Sequence, residues 1–272
     1  MRQKGWFVLD AATAVAIVLA VVCPIEGSIA NAATCSGVVL ASGSSIQKAI
    51  DSHAGGTTYC LSGTYTTATP ISPKDGDRFI GTAATNISGT GSGVFSGGKN
   101  VLYDSIGIGP SPGDGVRPGS GSTIQNSTIH DNNKCGITTF GSSLLITNNE
   151  IARNGSTSTS PISQACGLKI RGMQGSDSGA YSTVSNNVVH DNVHTALWVD
   201  CNGHDNVFSN NTVYGNTGIA LDEETGYRDT FRGNIVHDNG FGFQIQAVSI
   251  LDSMGGTVAN NTLTNNYRGV RI

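Results

Sequence analysis

The sequence predicts an all-β solenoid, in which short parallel strands follow one another in rungs that coil around a single apolar core. Three observations predict this fold. Pairs of apolar residues five positions apart recur at intervals of 22 to 27 residues, with one longer interval of 38. An asparagine follows each pair at a fixed distance, and only 12% of the residues are charged, about half of the usual share. Because one such repeat is too short to bury its own apolar face, the repeats must stack.

Residues 1–32 have the features of a signal peptide. Arg2 and Lys4 form a basic start, residues 11–22 form an apolar run, and Ala30-Asn31-Ala32 has the form of a cleavage site. Twelve apolar residues are too few to cross a bilayer comfortably. We therefore predict export, a secreted or extracellular protein, and no membrane contact after cleavage.

Residues 33–78 are predicted to form an N-terminal cap, made of a short helix and a first strand. Ile46 and Ile50 lie on one face of the helix, behind a serine that can cap it. Helical spacing then disappears, and residues 79–272 carry the repeat. The chain stops in mid-rung, which is compatible with a truncated coil, a domain boundary or an oligomer contact.

Five cysteines remain after removal of the signal peptide, so at least one of them cannot pair within the chain. We predict a disulfide between Cys35 and Cys60, because both flank the short helix. Cys135 and Cys166 occupy one position on neighbouring rungs, where a disulfide and a pair of buried thiols both fit the spacing. The state of Cys201 stays open.

The repeat aligns at several positions from Ile124 onward. The paired apolar anchors are Ile124/Ile129, Ile146/Ile151, Val184/Val189, Phe208/Val213, Phe231/Val236 and Val258/Leu263. The asparagines three residues after each second anchor are Asn132, Asn154, Asn192, Asn216, Asn239 and Asn266. Stacked at about 4.8 Å per rung, such side chains form hydrogen-bonded ladders. We therefore interpret these asparagines as structural.

The segments SSIQKAID, CLSGTY and PKDGDRFIGT resemble the cap and first rungs of exported bacterial right-handed parallel β-helix proteins of the pectate-lyase-like class. Locally, Trp198-Val199-Asp200 is similar to the Trp-x-Asp of β-helix glycosidases such as certain β-xylosidases, where a carboxylate follows one rung later after a Gly-Ile-x-x segment. The resemblance implies a single-stranded right-handed parallel β-helix. It implies the reaction only loosely, because this coil carries lyases, hydrolases, epimerases and adhesins.

The outward positions of one strand in each rung concentrate charge in a chain that is otherwise poor in it. Two outward columns are aligned, one with Lys169, Trp198, Ala220 and Gln244, the next with Arg171, Asp200, Asp222 and Gln246. In this alignment Asp200 and Asp222 are one rung apart, about 4.8 Å, close to the roughly 5 Å between the carboxyls of retaining glycosidases. We predict a retaining glycoside hydrolase that needs no cofactor.

Asp200 is the predicted nucleophile, which the resemblance to Trp-x-Asp implies. The acid/base is Asp222 by strict strand alternation, or Glu223 by the resemblance and an outward bulge. Trp198 is predicted to stack on a sugar ring. The other predicted substrate-binding residues are Lys169 and Arg171, which would bind hydroxyls or a carboxylate, and His204, Gln244 and Gln246. We expect a polysaccharide or an oligosaccharide as the partner.

Two alternatives remain open. A polysaccharide lyase would use a lysine or arginine base, with the acids holding Ca²⁺. A carbohydrate-binding or adhesive β-helix would need no close carboxylate pair. The net charge of −4 predicts no nucleic-acid partner. His130, His190 and His237 share a column but not consecutive rungs, so we interpret them as turn residues and predict no metal site from them.

Overall fold

The computed structural model describes residues 35–156, 164–240, 246–251 and 253–271. The predicted signal peptide and Gln244 lie outside the described residues. No helix within these ranges is long and apolar enough to cross a membrane. The described chain forms a β-solenoid of about nine turns with almost no helix.

The strands, numbered β1 to β27 in chain order, form three parallel sheets along the coil. Sheet A contains β1 (Val38–Leu40), β2 (Thr58–Leu61), β4 (Arg78–Ile80), β7 (Leu102–Asp104), β10 (Thr123–Gln125), β13 (Leu145–Thr147), β16 (Thr183–Ser185), β19 (Val207–Ser209), β22 (Thr230–Arg232) and β25 (Thr257–Ala259). Sheet B contains β3 (Thr64–Thr67), β5 (Asn86–Gly89), β8 (Gly107–Ile108), β11 (Thr128–His130), β14 (Glu150–Ala152), β17 (Val188–His190), β20 (Thr212–Tyr214), β23 (Ile235–His237) and β26 (Thr262–Thr264). Sheet C contains β6 (Gly93–Gly97), β9 (Asp114–Pro118), β12 (Ile137–Thr139), β15 (Cys166–Arg171), β18 (Thr195–Asp200), β21 (Leu221–Glu224), β24 (Gln246–Leu251) and β27 (Arg268–Arg271).

The predicted apolar anchors stack in sheets A and B. Ile124 pairs in register with Ile146 in sheet A, and Ile129 with Ile151 in sheet B. All four side chains are buried, because alternate residues of a strand face the inside of the coil. The predicted register of these two sheets is confirmed.

Two ladders of buried asparagines follow the corners of the coil. In the predicted ladder, Asn154 Nδ2 donates to Asn192 Oδ1 and to the Ile129 carbonyl, both at 3.0 Å, and the pattern repeats from rung to rung. A second ladder, which the sequence alignment did not single out, comprises Asn149, Asn187, Asn211, Asn234 and Asn261. These side chains satisfy backbone groups that the turns would otherwise leave buried and unpaired. The structural interpretation of the first ladder is confirmed.

Helix α1 (Ile46–Asp51) is the one α-helical element in the described ranges. The Ser45 hydroxyl accepts a hydrogen bond from the Lys48 N–H at 3.2 Å, which caps the helix. Ile46 and Ile50 are buried in the core. The strands around it, β1 to β3, already belong to sheets A and B, so the stacked coil includes this part of the chain.

Two disulfides join neighbouring rungs. Cys35 is bonded to Cys60, and Cys135 to Cys166. The second disulfide packs with Trp198 in a small apolar cluster separate from the main core. Among the described cysteines, Cys201 is the one without a disulfide.

The histidine column lies on sheet B. His190 and His237 stack on the two faces of Tyr214, with ring centroids 4.9 and 5.1 Å from the tyrosine. Each of the two histidines also places Nδ1 within 2.8 Å of the aspartate that follows it. These contacts fix the rings in place at the ends of strands of sheet B, so the histidines are structural but do not lie in the turns as predicted.

Candidate functional site

The predicted site lies on the outer face of sheet C, but the register there differs from the prediction by two residues. Strand β21 lies against β18 so that Asp222 is beside Trp198 and Glu224 is beside Asp200. The predicted stacking of Asp222 directly on Asp200 is therefore wrong. Asp222 is instead a diagonal neighbour of Asp200, one rung on and two residues back.

The turn asparagines explain this register. Leu197 follows Asn192 by five residues, and Leu221 follows Asn216 by the same distance. These two leucines are the observed partners. The alignment of apolar residues placed Ile219 beside Leu197, because Ile219 is apolar and lies two positions before Leu221. The observed partner of Leu197 is Leu221.

Lys169 and Asp200 form an ion pair across neighbouring rungs. Lys169 Nζ lies 2.7 Å from Asp200 Oδ2, and the two side chains are 5% and 13% exposed. The same ammonium lies 3.2 Å from the centroid of the Trp198 ring, a close cation–π contact. Trp198 is buried, and the Lys169 ammonium lies over its ring. The ring therefore does not form the predicted platform for a sugar.

Asp222 is buried although it faces outward from sheet C. Burial raises the pKa of its carboxyl to about 8. The charges of Glu224 and Asp200 contribute to the rise, whereas the Ser249 hydroxyl opposes it. At neutral pH, Asp222 is therefore a neutral acid on the same face as the ion-paired Asp200. We call Asp200, Asp222 and Glu224 the acid cluster.

Glu223 points into the coil. It occupies the core column of Val199 and Ile250 and is fully buried. Burial raises the pKa of its carboxyl to about 7. A side chain inside the coil cannot reach a glycan on the outer face, so the predicted outward bulge that made Glu223 a candidate acid/base is wrong.

His194 is a further buried polar group beside the acid cluster. Its ring centroid lies 5.8 Å from that of Trp198, and its Nδ1 lies 3.0 Å from Thr195 Oγ1. Burial lowers the pKa of this imidazole to about 4, with a further contribution from the Lys169 charge, so the ring is neutral. Within the described part of the chain, His194 Nε2, Trp198 Nε1 and Asp222 Oδ1 have no hydrogen-bond partner.

A groove of about 710 Å³ lies on the rungs that precede the acid cluster. Its charged lining comprises Lys99, Arg117, Lys134, Lys169, Arg171, Asp75 and Asp114. Phe140 is 48% exposed in this groove, and the Arg171 guanidinium lies 4.9 Å from its ring centroid. Five positive and two negative side chains thus line one groove of a chain whose net charge is −4. We call it the basic groove.

Two other predicted binding residues, His204 and Gln246, do not take the predicted positions. His204 lies after β18 and is buried, with its ring stacked on Tyr227 at 4.5 Å and its Nδ1 2.7 Å from Asp205. This network leaves it no place in a glycan site. Gln246 pairs in register with Arg268, and Ser249 lies beside Asp222, so the predicted column of Gln246 is wrong. Gln244 lies outside the described residues.

The sequence alignment missed Glu224 and most of the basic groove. Glu224 becomes visible once β21 is counted from its turn asparagine. Lys99 and Arg117 precede the first aligned anchor, so no column included them. Pairing of β6 with β9 and of β9 with β12 continues the same sheet backward, and extending the alignment in that direction would have found them.

The described residues do not provide a preformed site for Ca²⁺. Within these ranges, no three His, Cys, Asp or Glu side chains converge as a metal ion requires. Asp200 is engaged by Lys169, and Ca²⁺ takes six to eight oxygen ligands with charged carboxylates among them. A Ca²⁺ ion held by these acids stays a prediction of the lyase alternative.

Comparison with solved structures shows the same coil in proteins of distant sequence. Pectate lyase Pel9A superposes with a TM-score of 0.55 and 14% identity, over 85% of this chain and 77% of that one. The enzymatically active domain of bacteriophage CBA120 tailspike protein 2 gives 0.56 and 12%, over 80% and 40%. The Dettilon tailspike protein gives 0.51 and 15%, over 80% and 58%. The chain therefore spans less than two thirds of either tailspike, and these similarities concern the fold.

No curated protein matches this sequence. The family described as "Right handed beta helix region" matches residues 74–228 and 160–272. These two matches cover the same rungs whose parallel sheets, apolar anchors and asparagine ladders are described above. The chain belongs to the right-handed β-helix family.

Proposed function

We propose that the protein is an extracellular glycoside hydrolase that binds an acidic polysaccharide in the basic groove and cleaves it at the acid cluster. One observation carries the proposal: Lys169 pairs with Asp200 at 2.7 Å, while burial raises the pKa of the neighbouring Asp222 to about 8. Glycoside hydrolysis requires such a pair, in which one carboxyl donates a proton and the other acts as a base or nucleophile.

Asp222 is the proposed general acid, which protonates the oxygen of the leaving sugar. Asp200 is the proposed base, which activates a water on the other side of the sugar ring. The strand rise and the rung spacing place these diagonal neighbours roughly 8 Å apart at their Cα atoms. Carboxyls that keep the separation of their Cα atoms fit an inverting reaction, which needs about 6.5–9.5 Å between them, better than the retaining reaction that the sequence predicted.

The basic groove supports an acidic ligand. The lysine and arginine side chains of the groove attract carboxylates or sulfates, and Arg171 with Phe140 forms a planar surface on which a sugar ring can rest. Pectate lyase and tailspike proteins share the fold, and a polysaccharide ligand is consistent with their names. The predicted signal peptide supports the extracellular location.

The test compares the full-length protein with Asp200→Asn, Asp222→Asn and Glu224→Gln on a panel of acidic and neutral glycans. Reducing ends and the ultraviolet absorbance of unsaturated products are followed together. We expect reducing ends without new absorbance from an acidic glycan, and a loss of at least 100-fold with the first two variants, the scale of general acid–base catalysis. Proton NMR of the first product should show inversion at the anomeric carbon.

Asp51→Asn, on the exposed side of α1, is the matched control and should leave activity unchanged. New absorbance that persists in Asp222→Asn would replace the hydrolase with a lyase. Retention at the anomeric carbon together with loss of activity in Glu224→Gln would move the acid from Asp222 to Glu224, which lies directly opposite Asp200. Tight binding without cleavage would favour a carbohydrate-binding protein.

A further inference from the structure

Asp229 takes the place of an asparagine in a third, shorter corner ladder. Asn206 donates its backbone N–H and its Nδ2 to Asp229 Oδ1, at 2.7 and 2.9 Å. Asn192 donates to Asn216 in the same manner, with both distances at 3.0 Å. Asp229 is therefore an acidic group at a ladder position that Asn206 fills with an amide one rung earlier.

The second oxygen of Asp229 marks the difference from an asparagine. In the described structure Asp229 Oδ2 is buried without a hydrogen-bond partner. At the equivalent place one rung earlier, Asn206 Nδ2 donates to the Gly179 carbonyl at 3.0 Å. The corresponding carbonyl for Asp229 is that of Gly203. The Tyr227 backbone N–H donates to the Gly203 carbonyl, just as the His204 backbone N–H donates to the Gly179 carbonyl one rung earlier. A protonated Oδ2 can make this donation, whereas a carboxylate oxygen cannot.

Glu223 reaches the same small space inside the coil. A methyl group added at Gly226 would lie 3.0 Å from Asp229 Oδ2 and 3.0 Å from Glu223 Cγ. A methyl group added at Gly256 would clash with Glu223 Oε2. Both carboxyls are fully buried, so two glycines make room for two acidic side chains within one rung.

The surroundings of the pair hold no compensating cation in the described chain. Glu223 lies between Val199 and Ile250 in its core column. The charge of Asp205 raises the pKa of Asp229 further, whereas the Asp229 backbone N–H lowers that of Glu223 and only partly offsets its burial. The Asp205 carboxylate is itself held by Arg228 and His204. Two negative charges in this space would be costly, because a buried charge without a partner loses its hydration.

We propose that Glu223 and Asp229 form a proton-holding carboxyl pair inside the coil, which locks the rung behind the acid cluster and releases it as pH rises. In the locked form both carboxyls are neutral, and Asp229 acts in its ladder as an asparagine would. Deprotonation places one negative charge on β21, at Glu223 between Asp222 and Glu224, and a second negative charge next to it, at Asp229. The device is independent of the hydrolase proposed above.

The pH window follows from the titration of the two groups. Burial raises the pKa of Asp229 to about 8 and that of Glu223 to about 7, above their ordinary values near 4. Between these values the folded protein keeps protons that the unfolded chain has lost. Stability therefore falls as pH rises through this window, by about tenfold in the folding equilibrium constant per pH unit for each carboxyl, and levels off above it.

The experiment measures thermal unfolding of the full-length protein from pH 5 to pH 9, for the wild type, Asp229→Asn, Glu223→Gln and the double variant. Asp229→Asn completes the ladder with a group that never loses its hydrogen bond. We expect each variant to unfold at a higher temperature than wild type near pH 8, with the difference vanishing near pH 5. The exposed Asp51→Asn variant should follow the wild type at every pH.

A second measurement keeps the result interpretable if a variant folds poorly. Infrared difference spectra at pH 6 should show protonated carboxyl bands in the wild type, one of which disappears in each single variant. Parallel pH curves for the wild type and both single variants would overturn the proposal, as would infrared spectra without the expected losses. Hydrolase activity enters neither readout, so the two proposals fail independently.

Discussion

The outer face of sheet C has two halves that differ in charge and in access to solvent. The basic groove, over β6 to β15, is open; Lys99, Arg117 and Phe140 are exposed in it, and Lys134 and Arg171 are half-buried. The acid cluster and its neighbours, on β18 to β24, include Trp198 and Asp222, which are buried. Lys169 belongs to both halves, since it lines the groove and pairs with Asp200.

This difference shows how a repeating coil separates stability from function. The apolar core repeats through both halves, and the asparagine ladders continue from Asn132 onward, because successive rungs must satisfy the same core and the same turns. The outward positions of sheet C carry no such constraint. One half can therefore specialise in attracting an acidic ligand and the other in holding carboxyls at different protonation states.

The largest expected effect concerns the buried half. Asp222→Asn removes a carboxyl whose pKa burial raises to about 8. The folded wild type retains this proton at pH values where the unfolded chain has lost it. Its unfolding free energy should therefore fall relative to that of the variant by about 1.4 kcal/mol per pH unit above an ordinary pKa near 4. By pH 8 the total should be on the order of 5 kcal/mol. Urea unfolding at pH 5 and pH 8 measures the difference. An unchanged difference between the two pH values would place Asp222 among the solvated acids and remove the contrast between the halves.

The junction between the halves gives the next effect. Lys169→Met leaves Asp200 without its cation, so we expect a loss of about 3–5 kcal/mol in unfolding free energy. Lys134→Met, in the open half, is the matched control and should cost about 0.5 kcal/mol or less. Equal losses for the two variants in urea unfolding would contradict the distinction between a buried pair and a solvated groove.

The smallest effect concerns the open half. Lys99→Ala and Lys134→Ala should each weaken binding of an acidic oligosaccharide by about 0.2–1 kcal/mol, because charges in contact with solvent contribute little individually. Calorimetric titration at low and high salt checks this, since screening should reduce affinity and narrow the differences between variants. A matched neutral oligosaccharide should bind these variants and the wild type alike. If acidic and neutral ligands respond equally, the groove does not select charge.

The sequence was sufficient to predict the coil, because its determinants repeat. Six pairs of anchors and six asparagines give the same answer, so one irregular rung cannot change it. The ladder through Asn149 escaped notice because its asparagines lie next to others in the turn and occupy no position that the apolar pattern marks. Asp200 and Lys169 were found because Trp-x-Asp and the outward column are short-range signals.

The arrangement of the acids could not be predicted in the same way. Glu223 occupies a core column in which every neighbouring rung has an apolar side chain, so an alignment based on apolar residues shifts the strand to avoid it. Burial of Asp222 depends on contacts across rungs that no spacing within one rung reveals. Its raised pKa is likewise a consequence of tertiary packing. The sequence thus identified the acids but not which of them face outward.

The equal spacing of rungs sets the length that the proposed glycan ligand would need to span sheet C. From Arg117 on β9 to Asp200 on β18 the coil advances three rungs, or roughly 14 Å at about 4.8 Å each. An oligosaccharide much shorter than this distance would not contact Arg117 and Asp200 at the same time, whatever its chemistry. Adding or removing one whole rung between them would change the required length by a single fixed step while leaving the core and the ladders continuous, so chain-length selectivity in this fold is adjustable in whole-number units.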